Sequence, residues 1–340
     1  MKDVVIQMAV HNGGAWLRPV LESVAAQTYP AIRVILTDNA STDDTADIAR
    51  SFPGVKYVRN EENAGFWTAQ EAMFGLDSAP YIVCLTDVVL EPGFISAAVA
   101  AMEQDGRIGA VQGRILQMEW RNGRPEKSDL VDALGFRITR SRRVTIAGHG
   151  EKDDGSRTGI KDVFAVEGAV PVFRRSAVDD CRIDGRFADT DYRVGSISYN
   201  DDVDMGWRMN LFGWRQVLVN AAVGWHDRST TKGVARTPVL GQLARRRQRA
   251  AIPLAKRRLD WVNGRFTLVK NDHIINILKD APYILVREAA VQGYALLFEP
   301  RVLAGWGRFF RLLPRMLARR KRVMARAKRT PGEIRTFLTA

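Results

Sequence analysis

The stretch from Arg33 to Asp44 reads RVILTDNASTDD and decides the fold class. Its first six residues favour a β-strand that ends in the carboxylate of Asp38, and the polar residues after it favour a turn and a helix start. A strand that passes through a short polar turn into a helix is the repeating unit of a parallel α/β sheet. We therefore predict such a sheet, with Asp38 at the carboxyl end of one strand.

The same strand–helix unit recurs on both sides of this stretch. Strands are predicted at Val4–Val10, Arg33–Asp38, Val55–Arg59 and Tyr81–Thr86, and helices at 17–24, Asp43–Phe52 and Phe66–Leu76. Ligands of open α/β sheets bind beyond the carboxyl ends of the parallel strands. The rule predicts a ligand-binding rim made of His11-Asn12, Asp38-Asn39, Asn60–Asn63 and Thr86-Asp87.

Composition indicates a folded chain with a sizeable core, since 46% of its 340 residues are apolar. Met1-Lys2-Asp3 leads directly into the first predicted strand, so we expect no secretion signal. No unbroken apolar run reaches the roughly 18 residues that a membrane span requires. Cys84 and Cys181 are too few for a disulfide framework. Together these features predict a cytoplasmic protein.

Charge is distributed unevenly along the chain. Residues 236–340 hold 24 Lys and Arg against 6 Asp and Glu, a net charge of +18, whereas residues 1–235 carry a net charge of −5. A basic region of this kind predicts an anionic partner. Apolar and basic side chains are interspersed over residues 306–322. This pattern suits a helix on an anionic membrane surface, and it equally suits a helix packed on the enzyme with a solvated basic face.

Three further positions are candidates for a site. Asn63-Ala64-Gly65-Phe66 precedes a predicted helix, where backbone N–H groups can approach a phosphate, although a glycine and an aromatic residue also suit an ordinary turn and core. Asp87 closes the fourth strand, where a carboxylate can cap the strand or hold Mg²⁺ or Mn²⁺. His226 follows a short strand. A lone histidine is more often structural, so it becomes a candidate metal ligand only jointly with Asp87.

The densest cluster of acids lies in residues 200–208, which read NDDVDMGWR. Acids at a helix start gain from the helix dipole, which explains part of the cluster. Adjacent carboxylates repel each other, so helix stability alone does not account for all three. A carboxylate at a helix tip beside the sheet rim can serve as the general base for a sugar hydroxyl that displaces a nucleoside diphosphate.

Taken together, these segments resemble the family 2 glycosyltransferases of GT-A fold, most closely the rhamnosyltransferase-like branch. The segments follow the family's order: 38–43 resembles D-N-x-S-x-D, 63–66 resembles N-x-G-F, 86–92 resembles the metal segment N-P-D-x-x-L-x-P, 168–175 resembles G-A-x-x-x-x-R-R, and 201–208 resembles E-D-V-D-x-x-W-R. His226 falls where the family often has a metal-binding histidine. Arg265 and Lys270-Asn271 also resemble the tail of the branch.

The resemblance implies an inverting glycosyltransferase that moves a sugar from a dTDP- or UDP-sugar to a lipid-linked or polysaccharide acceptor in cell-surface glycan synthesis. Rhamnose from dTDP-rhamnose is the donor that the branch suggests. Asp202 is implied as the general base, and Asp87 with His226 as the holders of Mg²⁺ or Mn²⁺. The implied donor-binding residues are Ala9, His11, Asn12, Asp38, Asn39, Asn63, Gly65, Phe66, Thr86 and Asp87. The implied acceptor-binding residues are Glu167, Gly168, Ala169, Asp201, Trp207 and Arg208.

The implied fold is α/β, with a mixed, mainly parallel sheet flanked by helices and a basic helical extension at the C-terminal end. We expect residues 1–118 to form the nucleotide-sugar-binding half and residues 119–234 the acceptor-binding and catalytic half. Residues 235–340 are expected to form the basic helical region that associates with an anionic membrane surface. The protein is then expected at the inner face of the cytoplasmic membrane as a peripheral protein.

The chain departs from the family pattern at four points. Thr86 stands where proline is usual, and Val89 stands where strict D-x-D versions carry a second metal carboxylate. Metal binding is therefore expected to depend on Asp87, the donor pyrophosphate and His226. Asp201 replaces the usual glutamate, and the spacing between Phe187 and Asp201 is longer than is common, which predicts a reshaped acceptor pocket.

Three other functions are weighed against this one. A sugar nucleotidyltransferase needs a basic Gly-rich loop after its first strand, but residues 9–15, AVHNGGA, are followed by no Lys or Arg before Arg18. A nucleic-acid-binding protein explains the basic region, yet the chain has no zinc-finger spacing or RNP-like segment, and residues 201–204 stay unexplained, so we expect no nucleic-acid partner. An inactive, binding-only relative is the reading that Val89 supports.

Overall fold

The computed structural model describes residues 1–122, 124–189, 200–228, 249 and 252–340. The strands in these residues are β1 (Val4–Val10), β2 (Ile32–Asn39), β3 (Val55–Asn60), β4 (Tyr81–Leu85), β5 (Val88–Leu90), β6 (Ile108–Arg121), β7 (Arg124–Ala133), β8 (Phe136–Thr139), β9 (Val144–Ile146), β10 (Ile160–Asp162), β11 (Val172–Arg174), β12 (Arg215–His226) and β13 (Leu338–Thr339). The helices are α1 (Leu17–Ala25), α2 (Thr45–Arg50), α3 (Phe66–Phe74), α4 (Phe94–Gln104), α5 (Arg175–Asp180), α6 (Asp201–Leu211), α7 (Leu254–Asn271), α8 (Ile274–Lys279), α9 (Ala281–Phe298), α10 (Gly305–Arg326) and α11 (Pro331–Arg335), with a 3₁₀ turn at Pro300–Ala304.

The central sheet has the strand order β10-β12-β6-β11-β4-β1-β2-β3, with β5 added to β12 and β7 added to β6. β4, β1, β2 and β3 are consecutive parallel neighbours, and β12 pairs in parallel with β6. β11 lies antiparallel between β4 and β6. The predicted α/β class, with a mixed, mainly parallel sheet flanked by helices, is confirmed.

Burial explains why these segments form central strands. Six of the seven residues of β1 are buried and all five residues of β4 are buried, as expected for strands covered by helices on both faces. Leu17, Val20, Leu21 and Val24 of α1 are buried on one helical face, as their spacing predicts. The carboxyl ends of β1, β2 and β4 consequently meet at one edge of the sheet, where the predicted rim lies.

The second half of the sequence adds hairpins to this sheet. β6 and β7 form a long antiparallel hairpin, and β8 with β9 belongs to a separate three-stranded sheet. The predicted division between residues 118 and 119 falls inside β6, and the division between 234 and 235 lies outside the described residues. The division into functional halves therefore stays a proposal.

From residue 252 onward the chain forms helices α7 to α11 and one further strand. This strand, β13, pairs in parallel with β8 and so adds a sheet contact to the predicted helical region. α7 and α10 share an apolar core, in which Phe266 stacks on Phe309 at a ring distance of 5.3 Å. Within the described residues, no helix has the length and apolarity that a membrane crossing requires.

Candidate active site

The polar turns after β1 and β2 are joined by hydrogen bonds. His11 Nδ1 lies 2.8 Å from the backbone oxygen of Asn39, and the Asn12 N–H donates to the Ser41 hydroxyl at 2.9 Å. The Thr42 N–H donates to Asn12 Oδ1 at 2.9 Å. Ser41 therefore connects two turns of the rim. Its place before a predicted helix had suggested a helix cap instead. Ala9, which lies two residues before His11, pairs with Thr37 in the β1–β2 register.

Asp38 is fully buried at the end of β2 and is held by residues of the next strand. Its Oδ1 accepts from the Ser41 N–H at 2.8 Å, while its Oδ2 accepts from the Tyr57 hydroxyl and the Arg59 guanidinium, both at 2.6 Å. Burial alone would raise the pKa of Asp38, but hydrogen bonds from Ser41 and Tyr57 and the charge of Arg59 outweigh it and lower the pKa. The carboxylate is thus ionised and fixed, and its contact with a donor nucleotide stays a prediction.

The turn before α3 is stabilised by a local hydrogen bond and by a glycine backbone conformation, and its contact with a phosphate stays a prediction. Asn63 Oδ1 accepts from the Gly65 N–H at 3.0 Å, and Gly65 has φ +82°, a left-handed conformation that glycine adopts without strain. Phe66 and Trp67 follow with their rings edge to face at 5.1 Å, and both line the cleft described below.

Asp87 lies at the end of β4 beside His226, the last residue of β12. His226 Nε2 is 3.3 Å from Asp87 Oδ1, and His226 Nδ1 is 2.9 Å from Asp132 Oδ2. Burial alone would lower the pKa of His226, but the carboxylates of Asp132 and Asp87 raise it to about 10. The imidazole is therefore held between two carboxylates in a fixed orientation.

Asp132 connects this pair to a second group of charges. The Arg228 guanidinium donates to Asp132 Oδ1 at 2.8 Å and lies 2.9 Å from Glu167 Oε1. Burial alone would raise the pKa of Asp132, but His226 and Arg228 lower it to about 2. Asp87, His226, Asp132, Arg228 and Glu167 thus form one continuous chain of contacts across the sheet edge.

Asp202 is the second residue of α6, and it lies close enough to Glu167 and Arg228 to be influenced by their charges. A Cβ atom added to Gly168 would be 3.6 Å from Asp202 Oδ2, an ordinary van der Waals distance, so the glycine lies directly beside the carboxylate. Burial and then the negative charge of Glu167 raise the pKa of Asp202 to about 7, against weaker lowering by the Val203 N–H and Arg228. A carboxylate with a pKa near neutrality is suited to proton transfer.

Glu167, Asp202 and Arg228 line a cleft of about 600 Å³. It is lined by predicted donor-side and acceptor-side residues together, namely Phe66, Thr86, Glu167, Gly168, Asp201, Asp202 and Trp207. Lys256 and Arg287 from the C-terminal helices line the same cleft. The Thr86 hydroxyl donates to the Ala169 carbonyl at 2.9 Å and so fixes the segment 167–169 at the end of β4.

The start of α6 has an unusual backbone conformation. Asn200 has φ +71°, in the left-handed region that asparagine tolerates better than most residues, and its side-chain amide donates to Thr267 Oγ1 at 3.0 Å. This contact connects the N-terminal end of α6 to α7. The long spacing between Phe187 and Asp201 lies mostly outside the described residues.

The third acid of the cluster, Asp204, is fully buried and paired. Lys270 Nζ lies 2.8 Å from Asp204 Oδ2, and the Asn271 amide donates to Asp204 Oδ1 at 2.5 Å. Lys270 also pairs with Asp189 at 2.9 Å, and Asp189 pairs with Arg319 at 2.5 Å. Helix stability alone does not account for this acid, because its partners come from the C-terminal region.

Trp207 and Arg208, both predicted acceptor contacts, are 2% and 1% exposed. Trp207 lines the floor of the cleft and packs edge to face on Phe164 at 5.3 Å. Arg208 donates to the Phe187 carbonyl and lies 3.4 Å from Asp204, so both of these partners belong to the protein interior. We assign Arg208 a structural role; acceptor contact stays a prediction for Glu167, Gly168, Ala169, Asp201 and Trp207.

Sequence reasoning missed Asp132 and Arg228. A signal for Asp132 exists, since residues 130–134 read LVDAL and a lone acid in an apolar strand end requires a buried partner. Arg228 follows His226 by two residues, but nothing in its neighbourhood indicates that it would bridge two acids 96 and 61 positions away. Only the three-dimensional arrangement shows that relation.

The residues at the end of β4 fit a divalent cation in part. Among the described residues, no three His, Cys, Asp or Glu side chains form a ready-made metal site. Asp87 offers carboxylate oxygens with 30% side-chain exposure, and Asp132 holds His226 through Nδ1, as a carboxylate commonly holds the second ring nitrogen of a metal-binding histidine. Val89 is 7% exposed and packs in the core, so it supplies no ligand. The fit is therefore to a cation whose remaining ligands come from a bound substrate.

Comparison with known proteins adds relatives of two kinds. The N-acetylglucosaminyl-diphospho-decaprenol L-rhamnosyltransferase of Mycobacterium tuberculosis (strain ATCC 25618 / H37Rv) is 27% identical over 282 residues, which cover 77% of this chain and 87% of the relative. The poly-β-1,6-N-acetyl-D-glucosamine synthase of Staphylococcus epidermidis is 24% identical over 231 residues, which cover 66% of this chain and 50% of the synthase.

Two solved structures show the same fold at low identity. The structure of S. aureus TarS 1–349 has a TM-score of 0.53 at 12% identity, covering 98% of this chain and 90% of that one. The structure of GalNAc-T7 with UDP, GalNAc and Mn²⁺ has a TM-score of 0.53 at 15% identity, covering 67% and 44%. The family model described as glycosyl transferase family 2 matches residues 5–179, which is more than half of the chain. The chain therefore belongs to glycosyl transferase family 2 and is a glycosyltransferase of GT-A fold.

Proposed function

We propose that this glycosyltransferase moves a sugar, with inversion at the anomeric carbon, from a nucleoside-diphosphate sugar to a hydroxyl of a lipid-linked glycan. The observation that carries the proposal is the position of Asp202. Its carboxylate has a pKa of about 7 and lies in the cleft that Thr86 and Glu167 also line. Thr86 is a predicted donor contact and Glu167 a predicted acceptor contact, so residues from both sides of the proposed reaction line this cleft.

Asp202 would accept the proton of the attacking hydroxyl. Glu167, which raises the pKa of Asp202, increases the basicity of the carboxylate, and Arg228 holds Glu167 in place at 2.9 Å. The cleft that Gly168 and Asp202 both line would receive the hydroxyl. A base with a pKa near 7 is ionised in part at neutral pH and still binds a proton strongly.

The donor would lie along the rim, with its base near Ala9, His11, Asn12 and Asp38-Asn39 and its pyrophosphate near the turn at Asn63–Phe66 and Asp87. Asp87 and His226 would hold Mg²⁺ or Mn²⁺ there, and the bound cation would supply Lewis-acid stabilisation of the departing diphosphate. Asp132 and Arg228 keep the His226 ring oriented for that role. The Mn²⁺ in the structure of the GalNAc-T7 relative supports a divalent cation.

The acceptor proposal rests on the cations of the cleft and on the mycobacterial relative. Four basic side chains line the cleft, Arg142, Arg228, Lys256 and Arg287, beside four acids, Glu167, Asp201, Asp202 and Asp260. Cations at this place suit a diphosphate next to the acceptor sugar. The name of the mycobacterial relative describes transfer of L-rhamnose to a diphospho-decaprenol-linked sugar. We therefore propose rhamnose from dTDP-rhamnose as the first donor to test, and a peripheral position at the inner face of the cytoplasmic membrane.

The test combines a donor panel with one variant. Purified protein is incubated with dTDP-, UDP- and GDP-sugars, Mg²⁺ or Mn²⁺ and a short-chain polyprenyl-diphosphate sugar, and the release of nucleoside diphosphate is measured. Asp202→Asn is expected to lower turnover about 10²–10⁴-fold while donor affinity stays near normal. Asp47→Asn, at an exposed position on α2, is the matched control and should keep full turnover. Full turnover by Asp202→Asn would exclude this base.

A further inference from the structure

The outward face of α9 is apolar, which is the reverse of what a surface helix of a water-soluble protein shows. Leu285, Val286, Leu296 and Leu297 are 66%, 72%, 66% and 73% exposed, and Ala289 and Ala290 are exposed between them. The spacing of three and four residues places all six side chains on one stripe. Over residues 281–298, all of which the structure describes, this stripe contains no charged side chain.

The charged residues of α9 lie on the opposite side, toward the protein. Glu288 pairs with Arg265 of α7, and Arg287 lines the active-site cleft. Ile284 and Ala295 are the buried residues of the helix and lie on that same inner side. α9 is therefore fixed to the enzyme by its polar side and presents its apolar side outward.

The preceding helix extends this surface. Ile274, Ile275 and Leu278 of α8 are 60%, 44% and 65% exposed. Exposed apolar surface on two consecutive helices is unfavourable in water and marks a surface that another phase or molecule covers. We call the outward surface of α8 and α9 the apolar face.

Charge around the apolar face selects its occupant. Lys279 and Arg301 stand next to the two ends of α9, and both are exposed. Residues 236–340 carry a net charge of +18, and Arg311, Lys321 and Arg322 are exposed on α10. An apolar surface bordered by cations complements a bilayer that combines acyl chains with anionic headgroups. We infer that α8 and α9 lie in the interface of an anionic membrane, with the leucines of α9 among the acyl chains.

This location differs from the one that the sequence pattern indicates. The pattern favours residues 306–322, but there Phe309 is 9% exposed and Met316 is fully buried against α7. Only Phe310 and Leu317 of that segment are strongly exposed apolar residues. α10 thus packs on the enzyme with a basic outer side. The apolar contact with lipid is instead assigned to α8 and α9.

The position of α9 affects how a lipid-linked acceptor would reach the cleft. This consequence rests on the proposed function. α9 contributes to the apolar face and, through Arg287, also forms part of the cleft wall. A cleft bounded by a membrane-bound helix opens near the headgroups. A lipid-linked diphosphate could then reach Arg287 while its polyprenyl chain stays in the bilayer.

The experiment measures sedimentation of the full-length protein with vesicles of phosphatidylcholine, with and without phosphatidylglycerol. Wild-type protein is expected to bind the anionic vesicles and to bind pure phosphatidylcholine more weakly. The Leu285→Glu/Leu297→Glu variant is expected to bind anionic vesicles at least about tenfold more weakly, because two apolar anchors become charges. The matched control is Leu76→Glu/Ile160→Glu, whose native side chains are 44% and 41% exposed outside the C-terminal region, and it should bind like wild type.

A second variant reports on insertion directly. Cys84 and Cys181 are buried, so a Val286→Cys variant can be labelled selectively with an environment-sensitive dye. Its emission is expected to shift to shorter wavelength on addition of anionic vesicles. An unshifted emission, or equal vesicle binding by wild type and the Leu285→Glu/Leu297→Glu variant, would overturn the inference. A dimer in sedimentation velocity that the same double variant converts to monomer would also overturn it, since a second copy would then cover the apolar face.

The outcome is separable from that of the proposed function. Transfer to a water-soluble acceptor should proceed at the wild-type rate in the Leu285→Glu/Leu297→Glu variant, because neither side chain belongs to the cleft. Vesicle binding without transfer from any nucleotide sugar would leave the membrane contact standing and reject the proposed reaction. Sugar transfer without vesicle binding would support the proposed reaction and reject the membrane contact.

Discussion

At the scale of single residues, Asp202 is the group whose ionisation should control the rate. Burial and the charge of Glu167 raise its pKa to about 7, and a general base acts only when it is ionised. We expect kcat/KM to rise about tenfold per pH unit below 7 and to level off above it. Initial rates from pH 5 to 9 at constant ionic strength check this. A flat profile between pH 5.5 and 8 would contradict the assignment of Asp202.

The same shift predicts an effect on stability. The folded protein holds the Asp202 proton more tightly than the unfolded chain does, so the free energy of unfolding falls as pH rises from about 4 to about 7. Asn does not ionise and escapes this loss. Asp202→Asn should therefore raise the free energy of unfolding at pH 8 by on the order of 1–3 kcal/mol more than at pH 4. Urea unfolding at the two pH values tests it, and an equal effect at both would argue against a raised pKa.

The sequence predicts the position of a residue well where a local pattern alone determines that position. Asp38, Asp87 and Asp202 each follow a recognisable strand end or start a helix, so their place at the sheet edge follows from the chain alone. Arg208 and Asp204 belong to the same motif as Asp202, yet their partners are Phe187, Lys270 and Asn271. A motif does not show which of its members face the cleft, because that depends on distant segments.

At the scale of elements, α6 is held to α7 by a buried ion pair. Lys270 is fully buried between Asp204 and Asp189, and its removal leaves both carboxylates without that cation. Lys270→Met is expected to lower the free energy of unfolding by about 3–5 kcal/mol. Chemical denaturation measures the loss. Lys279→Met, at an exposed position on α8, should change it by less than about 0.5 kcal/mol.

A second change separates the charge from the packing at this site. In the double variant Lys270→Met/Asp204→Asn, one of the two carboxylates that lost Lys270 becomes a neutral amide. Part of the stability lost in Lys270→Met should therefore return. If the double variant is less stable than Lys270→Met alone, the loss in the single variant comes from packing and the electrostatic explanation is wrong.

Two helical glycines should respond with opposite signs to the same substitution. A Cβ at Gly206 of α6 would lie 2.3 Å from the Cβ of Ala165, whereas a Cβ at Gly307 of α10 would meet no atom within 4 Å. Gly206→Ala should lower the free energy of unfolding by about 1–3 kcal/mol. Gly307→Ala should raise it by about 0.5–1 kcal/mol. Thermal unfolding of the pair tests this, and equal effects would refute the close contact at Gly206.

Elements were easier to predict than their contacts. The strands and helices of residues 4–85 follow the apolar periodicity closely, because each is covered by the sheet or by a helix on a regular face. β13 at residues 338–339 could not be predicted, since its two residues form a strand only by pairing with β8, some 200 positions earlier. The apolar face of α9 was equally hidden: apolar residues lie on both of its sides, so periodicity does not tell the inner side from the outer.

At the scale of the whole molecule, the basic region is an integral part of the enzyme. Its helices contact α6 through Lys270 and Asp204, and the Lys328 N–H donates to the Leu211 carbonyl at 2.7 Å at the C-terminal end of α6. β13 then completes the small sheet around β8. A charge count divides the chain near residue 235, whereas these contacts join its two parts around α6.

This connection predicts that the last ten residues stabilise the whole protein. Ile334 of α11 is fully buried, and Arg335 pairs with the buried Asp280 at 2.7 Å, so removing residues 331–340 deletes a core contact, an ion pair and β13 together. Ile334→Ala alone should cost about 2–5 kcal/mol, and the truncation should cost more. Leu317→Ala, at a half-exposed position on α10, should change stability by less than about 0.5 kcal/mol. Denaturation followed by tryptophan fluorescence and by circular dichroism should give one coincident transition in the full chain. A truncated protein as stable as the full chain would show instead that the C-terminal segment is an appendage, and that α6 is positioned without it.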